Sequence, residues 1–324
     1  MKPKVYVTRQ VPEQGMVMLR PECEVEIWDG ELPIPYDVLL EKVCDIDGLY
    51  CLLTERIDQE LLDAAPRLRV VSNMAVGYDN VDVPACTARG IPVGNTPGVL
   101  TDTTADLAFA LLMAAARRIV EGADYVRAGR WKTWGPMLLM GPDLHGATLG
   151  ILGLGRIGQA VARRAHGFDM RILYHDIQPM TEAAAAVGAT YVDMDTLLAE
   201  SDFVTVHVNL TEATHHLISR EELRKMKSSS VLVNASRGGV IDPQSLYEAL
   251  RDGEIAYAAL DVTEPEPIPE DDPLLSLPNC IVVPHIGSAS IATRTKMATM
   301  AAENLLAGLR GEPLPNCVNP EVQA

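Results

Sequence analysis

Positive charge is what this 324-residue sequence is short of: 27 Lys and Arg stand against 44 Asp and Glu, a formal net charge of −17. So acidic a chain has no basic surface to offer, which argues against nucleic acid and anionic membrane as partners. The deficit says nothing against a small anionic substrate, whose site needs only one or two local cations. Cysteine is sparse as well. Cys23, Cys44, Cys51, Cys86, Cys280 and Cys317 are scattered, with no CxxC pair and no zinc-ligand spacing. They read as reduced thiols of a cytoplasmic protein, not as a disulfide framework. Long hydrophobic runs are missing: nothing approaches the roughly 18 apolar residues of a transmembrane helix. The chain enters a strand at Lys4, which leaves no space for a signal peptide. With 48% apolar residues it can bury ample core, and its length suggests about two domains.

What is present centres on Thr148–Gly158. The apolar run Leu149–Leu152 reads as a buried strand, ends in Gly153-Leu154-Gly155-Arg156-Ile157-Gly158, and opens onto a helix from Gln159. Glycines at this spacing are informative only between a strand and a helix, and that context is met. Gly153 would allow the tight turn, Gly155 close approach of a pyrophosphate, and Gly158 close helix–strand packing. The helix N-terminus offers N–H groups and a positive dipole end to phosphate. Asp176 follows the last glycine by 18 residues, at the end of the run Arg171–His175. A carboxylate there accepts from the ribose hydroxyls and repels a 2′-phosphate, so NAD(H) is favoured. His175 and Gln178 beside it leave NADP(H) open.

The flanking regions alternate strand and helix, which indicates parallel sheets with helices on both faces. Before the glycine motif, strands are expected at Lys4–Thr8, Glu24–Trp28, Gly48–Leu53, Leu68–Ser72 and Ile91–Gly94. A single long helix is expected from about Thr103 to Glu121; being apolar all round, it reads as buried between domains or subunits. The aromatic and apolar segment Arg130–Met140 reads as a dimerisation arm. After the motif come strands at Ala189–Val192, Phe203–Val208, Val231–Asn234, Ala256–Val262 and Cys280–His285, then a long helix Ala292–Leu309. Two α/β domains follow, the first interrupted by the second.

In such sheets ligands bind beyond the carboxyl ends of the strands. Three ionisable residues fall there: Arg237, Glu266 and His285. An Arg fork can hold a substrate carboxylate and polarise a carbonyl. A His can deliver a proton to the carbonyl oxygen as hydride arrives. A buried Glu beside it would orient the ring. Taken singly, each also reads as turn, loop or strand cap. His207, closing the Phe203–Val206 run, is a candidate for the cofactor crevice or for ordinary packing. His215-His216 reads as a polar turn, since adjacent side chains diverge and nothing completes a metal site. No metal is expected.

The ordered motifs Val76-Gly77-Tyr78-Asp79-Asn80-Val81-Asp82, the glycine turn, Asn234-Ala235-Ser236-Arg237-Gly238-Gly239, Leu260-Asp261-Val262-Thr263-Glu264-Pro265-Glu266-Pro267 and Pro284-His285-Ile286-Gly287-Ser288 resemble those of the D-isomer-specific 2-hydroxyacid dehydrogenases. The resemblance spans essentially the whole chain. Within the family it is nearest glyoxylate reductase/hydroxypyruvate reductase, notably through Leu305–Pro313. It implies two doubly wound parallel-sheet domains, a Rossmann NAD-binding domain (99–288, with a dimerisation arm at about 120–145) inserted into a flavodoxin-like substrate domain (1–98 and 289–324). It implies a homodimer, and Arg237, Glu266 and His285 as catalytic residues with His285 the proton donor. Cofactor contacts would come from Thr104, Gly153, Leu154, Gly155, Arg156, Ile157, Gly158, Asp176, Ala235, Ser236, Arg237, Asp261, His285 and Gly287. Leu53, Val76, Gly77, Arg237 and His285 would contact a small 2-keto or 2-hydroxy acid. The reaction implied is NAD(P)H-dependent reduction of glyoxylate to glycolate or hydroxypyruvate to D-glycerate. Asp176 is a departure from the many relatives that prefer NADPH and carry a non-acidic residue there. Alternatives are a related D-2-hydroxyacid or phosphite dehydrogenase, although Met74–Gly77 lacks the Lys a phosphite site would want. An NAD-sensing protein of the corepressor type is a further alternative.

Overall fold

The computed structural model describes residues 2–323; Met1 and Ala324 lie outside the described residues. The chain divides into two compact units, one of residues 1–100 and 288–324, the other of 101–287.

The first unit holds five parallel strands, β1 (Lys4–Val7), β2 (Glu24–Ile27), β3 (Gly48–Cys51), β4 (Val70–Asn73) and β5 (Val93–Gly94), in the order β2-β1-β3-β4-β5. A parallel sheet covered on both faces needs apolar side chains on both, and strands β1, β3 and β4 supply them with a period of two. Tyr6, Leu49, Cys51 and Val71 pack on one face with Leu39, Val43 and Leu61. Val5, Val7, Tyr50 and Val70 pack on the other with Met16, Leu19, Met297, Ala301 and Leu305. The last three belong to the helix Ile291–Arg310, capped by Ser290 and ended by Gly311 in the left-handed conformation (φ 72°). That helix brings the chain's end back to the sheet its start began. Buried Asn304 fastens it, donating to the Asn95 carbonyl at 2.8 Å and accepting from the Asn316 N–H at 3.0 Å.

The second unit holds seven parallel strands: β6 (Thr148–Leu152), β7 (Arg171–His175), β8 (Thr190–Tyr191), β9 (Phe203–Val206), β10 (Val231–Asn234), β11 (Tyr257–Leu260) and β12 (Cys280–Val282). Their order is β12-β11-β10-β9-β6-β7-β8. The chain winds outward from β6 in one direction through β7 and β8, then returns to its other side at β9. This is the Rossmann arrangement, with its switch point between β6 and β9. One face is covered by the helices Thr101–Ala116 and Arg156–Ala165, the other by Met194–Glu200, Arg220–Lys225 and Pro243–Asp252.

The single long helix expected over Thr103–Glu121 is instead two, Thr101–Ala116 and Ile119–Arg127. Arg118 breaks it with φ 49° and ψ 41°, a left-handed conformation unfavourable for a side chain with a Cβ. Two charge-assisted hydrogen bonds from its guanidinium to Glu121, at 2.8 and 2.9 Å, accompany the turn. The apolar helix Thr101–Ala116 packs against β10, β11 and the helix Arg156–Ala165 of its own unit, which accounts for its character. Among the described residues no helix is long and apolar enough to cross a membrane.

Gly308 lets the helix Ile291–Arg310 lie close on the first unit's sheet: a Cβ there would stand 2.6 Å from the Cβ of Val70 on β4. Gly308→Ala should therefore destabilise the protein, because overpacking of about 1–3 kcal/mol exceeds the ~1 kcal/mol helix-propensity gain. Urea unfolding of wild type and variant checks the sign; a more stable variant would mean that the helix can simply lift.

Candidate active site

The carboxyl ends of β6, β7, β9, β10, β11 and β12 lie on one edge of the seven-stranded sheet. At the end of β6, Gly153 takes φ 90°, and a Cβ there would meet the His207 carbonyl oxygen at 2.9 Å. Gly158 lies so close to the Gly153 carbonyl that a Cβ would come within 2.2 Å of it. The middle glycine is different: nothing lies within 4 Å of where a Gly155 Cβ would be, and Gly155 is the exposed N-cap of the helix Arg156–Ala165. Two glycines thus let the turn close, and the third leaves open space before a helix N-terminus with no side-chain cap. That is a place for phosphate. Leu154 is fully buried and Ile157 half-buried, so their side chains anchor the turn, while Arg156 is exposed.

Asp176 follows β7 and is half-buried. Its two oxygens accept from the Leu154 N–H at 2.9 Å and the Ile177 N–H at 2.8 Å. The carboxylate is therefore held against the glycine turn and keeps a lone pair on each oxygen for ribose hydroxyls. The bond to Leu154 has no sequence signal. Beside the turn, the His207 ring meets Thr205 Oγ1 at 2.9 Å, and its buried Nδ1 has no partner among the described residues. Burial pushes the imidazole down to about 4, so the ring is neutral at physiological pH. Open space at Gly155, an acceptor at Asp176 and an unpaired polar atom at His207 together suit a dinucleotide.

After β10, Ala235 is buried, and the Ser236 N–H and hydroxyl both donate to Asn234 Oδ1, at 3.0 and 2.9 Å. Arg237 is half-buried; its guanidinium donates to the Ser236 carbonyl at 2.9 Å, and its own carbonyl accepts from Asn234. The next residue, Gly238, is pressed against Thr263: a Cβ would lie 1.9 Å from the Thr263 oxygen. The turn carrying Arg237 is thereby seated on the loop that carries Glu266. Glu266 Oε1 accepts from Nδ1 of His285 at 2.5 Å. The sequence reading of Glu266 as buried is corrected: it is exposed, and His285 is half-buried, because the proline-rich loop runs over the surface. The pair leaves Nε2 as the other ring nitrogen for chemistry.

Asp261 organises this edge. It is 2% exposed, and it accepts from the Ile286 N–H at 2.7 Å and the Gly287 N–H at 2.8 Å, while its carbonyl accepts from the His285 N–H at 2.9 Å. Burial pushes its carboxyl up from the usual aspartate value, and the two N–H donors oppose that. His285 takes φ 51°. A histidine held in the left-handed region costs free energy that the bonds to Asp261 offset. Buried Thr104 packs against Gly287, with its Cγ2 3.3 Å from where a Cβ would be.

In the first unit, the Val76 and Gly77 carbonyls accept from Asn95 (2.9 Å) and Asn73 (3.1 Å), while neither N–H donates to any group among the described residues. Leu53 is exposed on the loop after β3. That loop is held by Glu55, 3% exposed, which accepts from the Thr8 hydroxyl at 2.6 Å and the Leu52 N–H at 2.7 Å. Asn80 donates to the Leu52 and Glu55 carbonyls and accepts from Asn73, linking the Leu53 loop to the Val76–Gly77 turn. Sequence reasoning missed this network, because no motif marks a Glu and two Asn separated by such intervals.

One expectation fails outright. The His215 and His216 rings do not diverge; they stack with centroids 3.9 Å apart and both meet Glu264. His216 takes φ 51°, which undoes the alternation of an extended chain.

Residues 109–287 match the family model described as D-isomer specific 2-hydroxyacid dehydrogenase, NAD binding domain. A glyoxylate reductase of Korarchaeum cryptofilum is 56% identical over 323 residues, covering 99% of this chain and 97% of the relative. Among solved structures, the TT0316 protein of Thermus thermophilus superposes with a TM-score of 0.93 at 48% identity, over 97% of this chain and 99% of that one. An NADPH-dependent glyoxylate/hydroxypyruvate reductase of Sinorhizobium meliloti, in complex with NADP and malonate, gives 0.87 at 34% identity over 98% and 97%. The chain belongs to the D-isomer specific 2-hydroxyacid dehydrogenase family and is an oxidoreductase with a domain for a nicotinamide cofactor.

Proposed function

We propose that the protein reduces glyoxylate and hydroxypyruvate, to glycolate and D-glycerate, with NADH as the preferred donor. The observation that carries the reading is the 2.5 Å bond between Glu266 and Nδ1 of His285, set on a buried carboxylate at the ligand-binding edge of the sheet. When bound, the nicotinamide supplies the hydride. The chain's own residues do the rest. The N–H groups of Val76 and Gly77 take the substrate carboxylate, and Leu53 offers it an apolar neighbour. Arg237 holds the substrate and polarises its carbonyl, so that negative charge developing on oxygen is stabilised. His285 gives its Nε2 proton to that oxygen, completing the hydroxyl group. Glu266 keeps Nδ1 protonated and the ring aimed. Asp261 and Thr104 hold the Ile286–Gly287 turn and the nicotinamide side, Ala235 and Ser236 line the segment beside it, and Gly153–Gly158 take the pyrophosphate. Asp176 selects NADH by accepting from the ribose and repelling a 2′-phosphate.

We further propose that the chain works as a homodimer through its 120–145 arm. Trp131, Trp134, Met137 and Met140 are 58%, 78%, 75% and 59% exposed, more apolar surface than an isolated loop ordinarily shows to water.

NADH oxidation measured with glyoxylate, hydroxypyruvate, pyruvate and phenylpyruvate should be fastest with the first two and slower with NADPH. Asp176→Ala should move the NADH/NADPH ratio of kcat/KM toward NADPH by at least ~10-fold, since a like-charge contact costs several kcal/mol. An unchanged ratio would remove Asp176 from cofactor choice, and inertness toward all four acids would favour a different donor or the NAD-sensing alternative. His285→Ala should lower kcat by about 10²–10⁴-fold, the usual worth of a general acid, while NADH affinity by fluorescence titration stays near wild type. A kcat within a factor of two of wild type would sink its role. Light scattering should give the mass of two chains, and Trp134→Ser should weaken the dimer; a monomeric wild type would dispose of the arm as an interface.

A further inference from the structure

The stacked histidines lie outside the residues assigned to hydride transfer. The Nε2 atoms of His215 and His216 stand 3.2 and 2.7 Å from the two oxygens of Glu264, and one ligand atom from each residue lies within 4.8 Å of the others. Their backbones are fixed. The His215 N–H donates to the Thr211 carbonyl at 2.9 Å, and the His216 N–H to the Gly239 carbonyl at 2.8 Å. Gly239 makes room for the group: a Cβ there would press on Glu264 Oε1 at 3.2 Å and on the His215 ring at 3.4 Å. Behind the site, Asp242 Oδ2 lies 3.7 Å from Nδ1 of His216. A carboxylate at that nitrogen favours the tautomer with its proton on Nδ1, which frees Nε2 to bind a metal, as in carboxylate–histidine–zinc arrangements. The site is partly open, with His215 exposed and the other two half-buried, so an ion can enter and keep water in a remaining position.

We propose that His215, His216 and Glu264 bind one divalent transition-metal ion of the zinc or cobalt type. Two imidazoles and one carboxylate select borderline ions over magnesium or calcium, which demand oxygen ligands. Each neutral imidazole carries one proton, which is shared with Glu264 at Nε2 without the ion and moves by way of solvent to Nδ1 when the ion binds, toward Asp242 in His216 and toward solvent in His215. An ion held there ties the 211–217 turn to the loop that leads, two residues later, to Glu266.

The test is titration of the tag-free full chain with Zn²⁺, Co²⁺ and Mg²⁺ by calorimetry, with thermal melts and the visible spectrum of the Co²⁺ form. The wild type should take up one equivalent of Zn²⁺ or Co²⁺ saturably, melt higher with the ion, and ignore Mg²⁺. His215→Ala and His216→Asn, the latter chosen because Asn tolerates the left-handed backbone, should lose saturable binding while melting like wild type without metal. Asp242→Asn, which retains a helix-capping side chain, should bind about 10–100-fold more weakly. Absence of saturable binding would overturn the proposal. So would binding that survives both histidine changes, or a thiolate-to-cobalt charge-transfer band, which would assign the ion to a cysteine. None of these readouts depends on the substrate or on the cofactor.

Discussion

Seven strands running in one direction put seven carboxyl ends on one edge, and that constraint is what allows distant parts of the sequence to share chemistry. Residues following β6, β7, β9, β10, β11 and β12 span 153–287, yet the sheet order delivers them to one rim. Parallel register is demanding: the central strands β6, β9, β10 and β11 are buried on both faces, so a polar substitution inside one would displace the rim as well as weaken the core. The loops beyond that rim are freer. They carry Arg237, Glu266 and His285, and each is braced by backbone contacts to its neighbour.

Asp261 is the most consequential of these braces. A buried carboxylate with its two oxygens on successive N–H groups sets the path of the Ile286–Gly287 turn and keeps His285 in a conformation that it would leave if released. Glu266 then meets a ring whose backbone is already placed. The order of dependence is fold, then Asp261, then His285, then the Glu266 contact. The exposed position of Glu266 is consistent with this order, because its one contact with His285 is made from a loop that runs over the surface.

The strands were legible in the sequence because parallel strands read as short apolar runs between turns, and the glycine turn because each of its glycines has a separate steric reason. Other features were illegible for reasons that can be named. The break at Arg118 has neither Gly nor Pro; it rests on a left-handed Arg paired with Glu121, which composition does not announce. The convergence of His215 and His216 depends on one backbone angle, and the rule that adjacent side chains diverge assumes a regular chain. The Thr8–Glu55–Asn80–Asn73 network joins residues far apart in sequence, so no local pattern could reveal it.

Asp176 carries a consequence for how such a chain can change. The oxygen that accepts from Leu154 holds the glycine turn from the β7 side, so the residue we propose as the selector between cofactors is also a strut of the glycine turn. Replacing it with a side chain that carries no acceptor would leave the main-chain donor of buried Leu154 without its partner. With the role proposed for Asp176, cofactor choice is tied to the turn and is not an independent surface trait. A lineage that gave up the carboxylate would keep the turn intact only if the new side chain, such as Asn, or a neighbouring group still accepted from that amide.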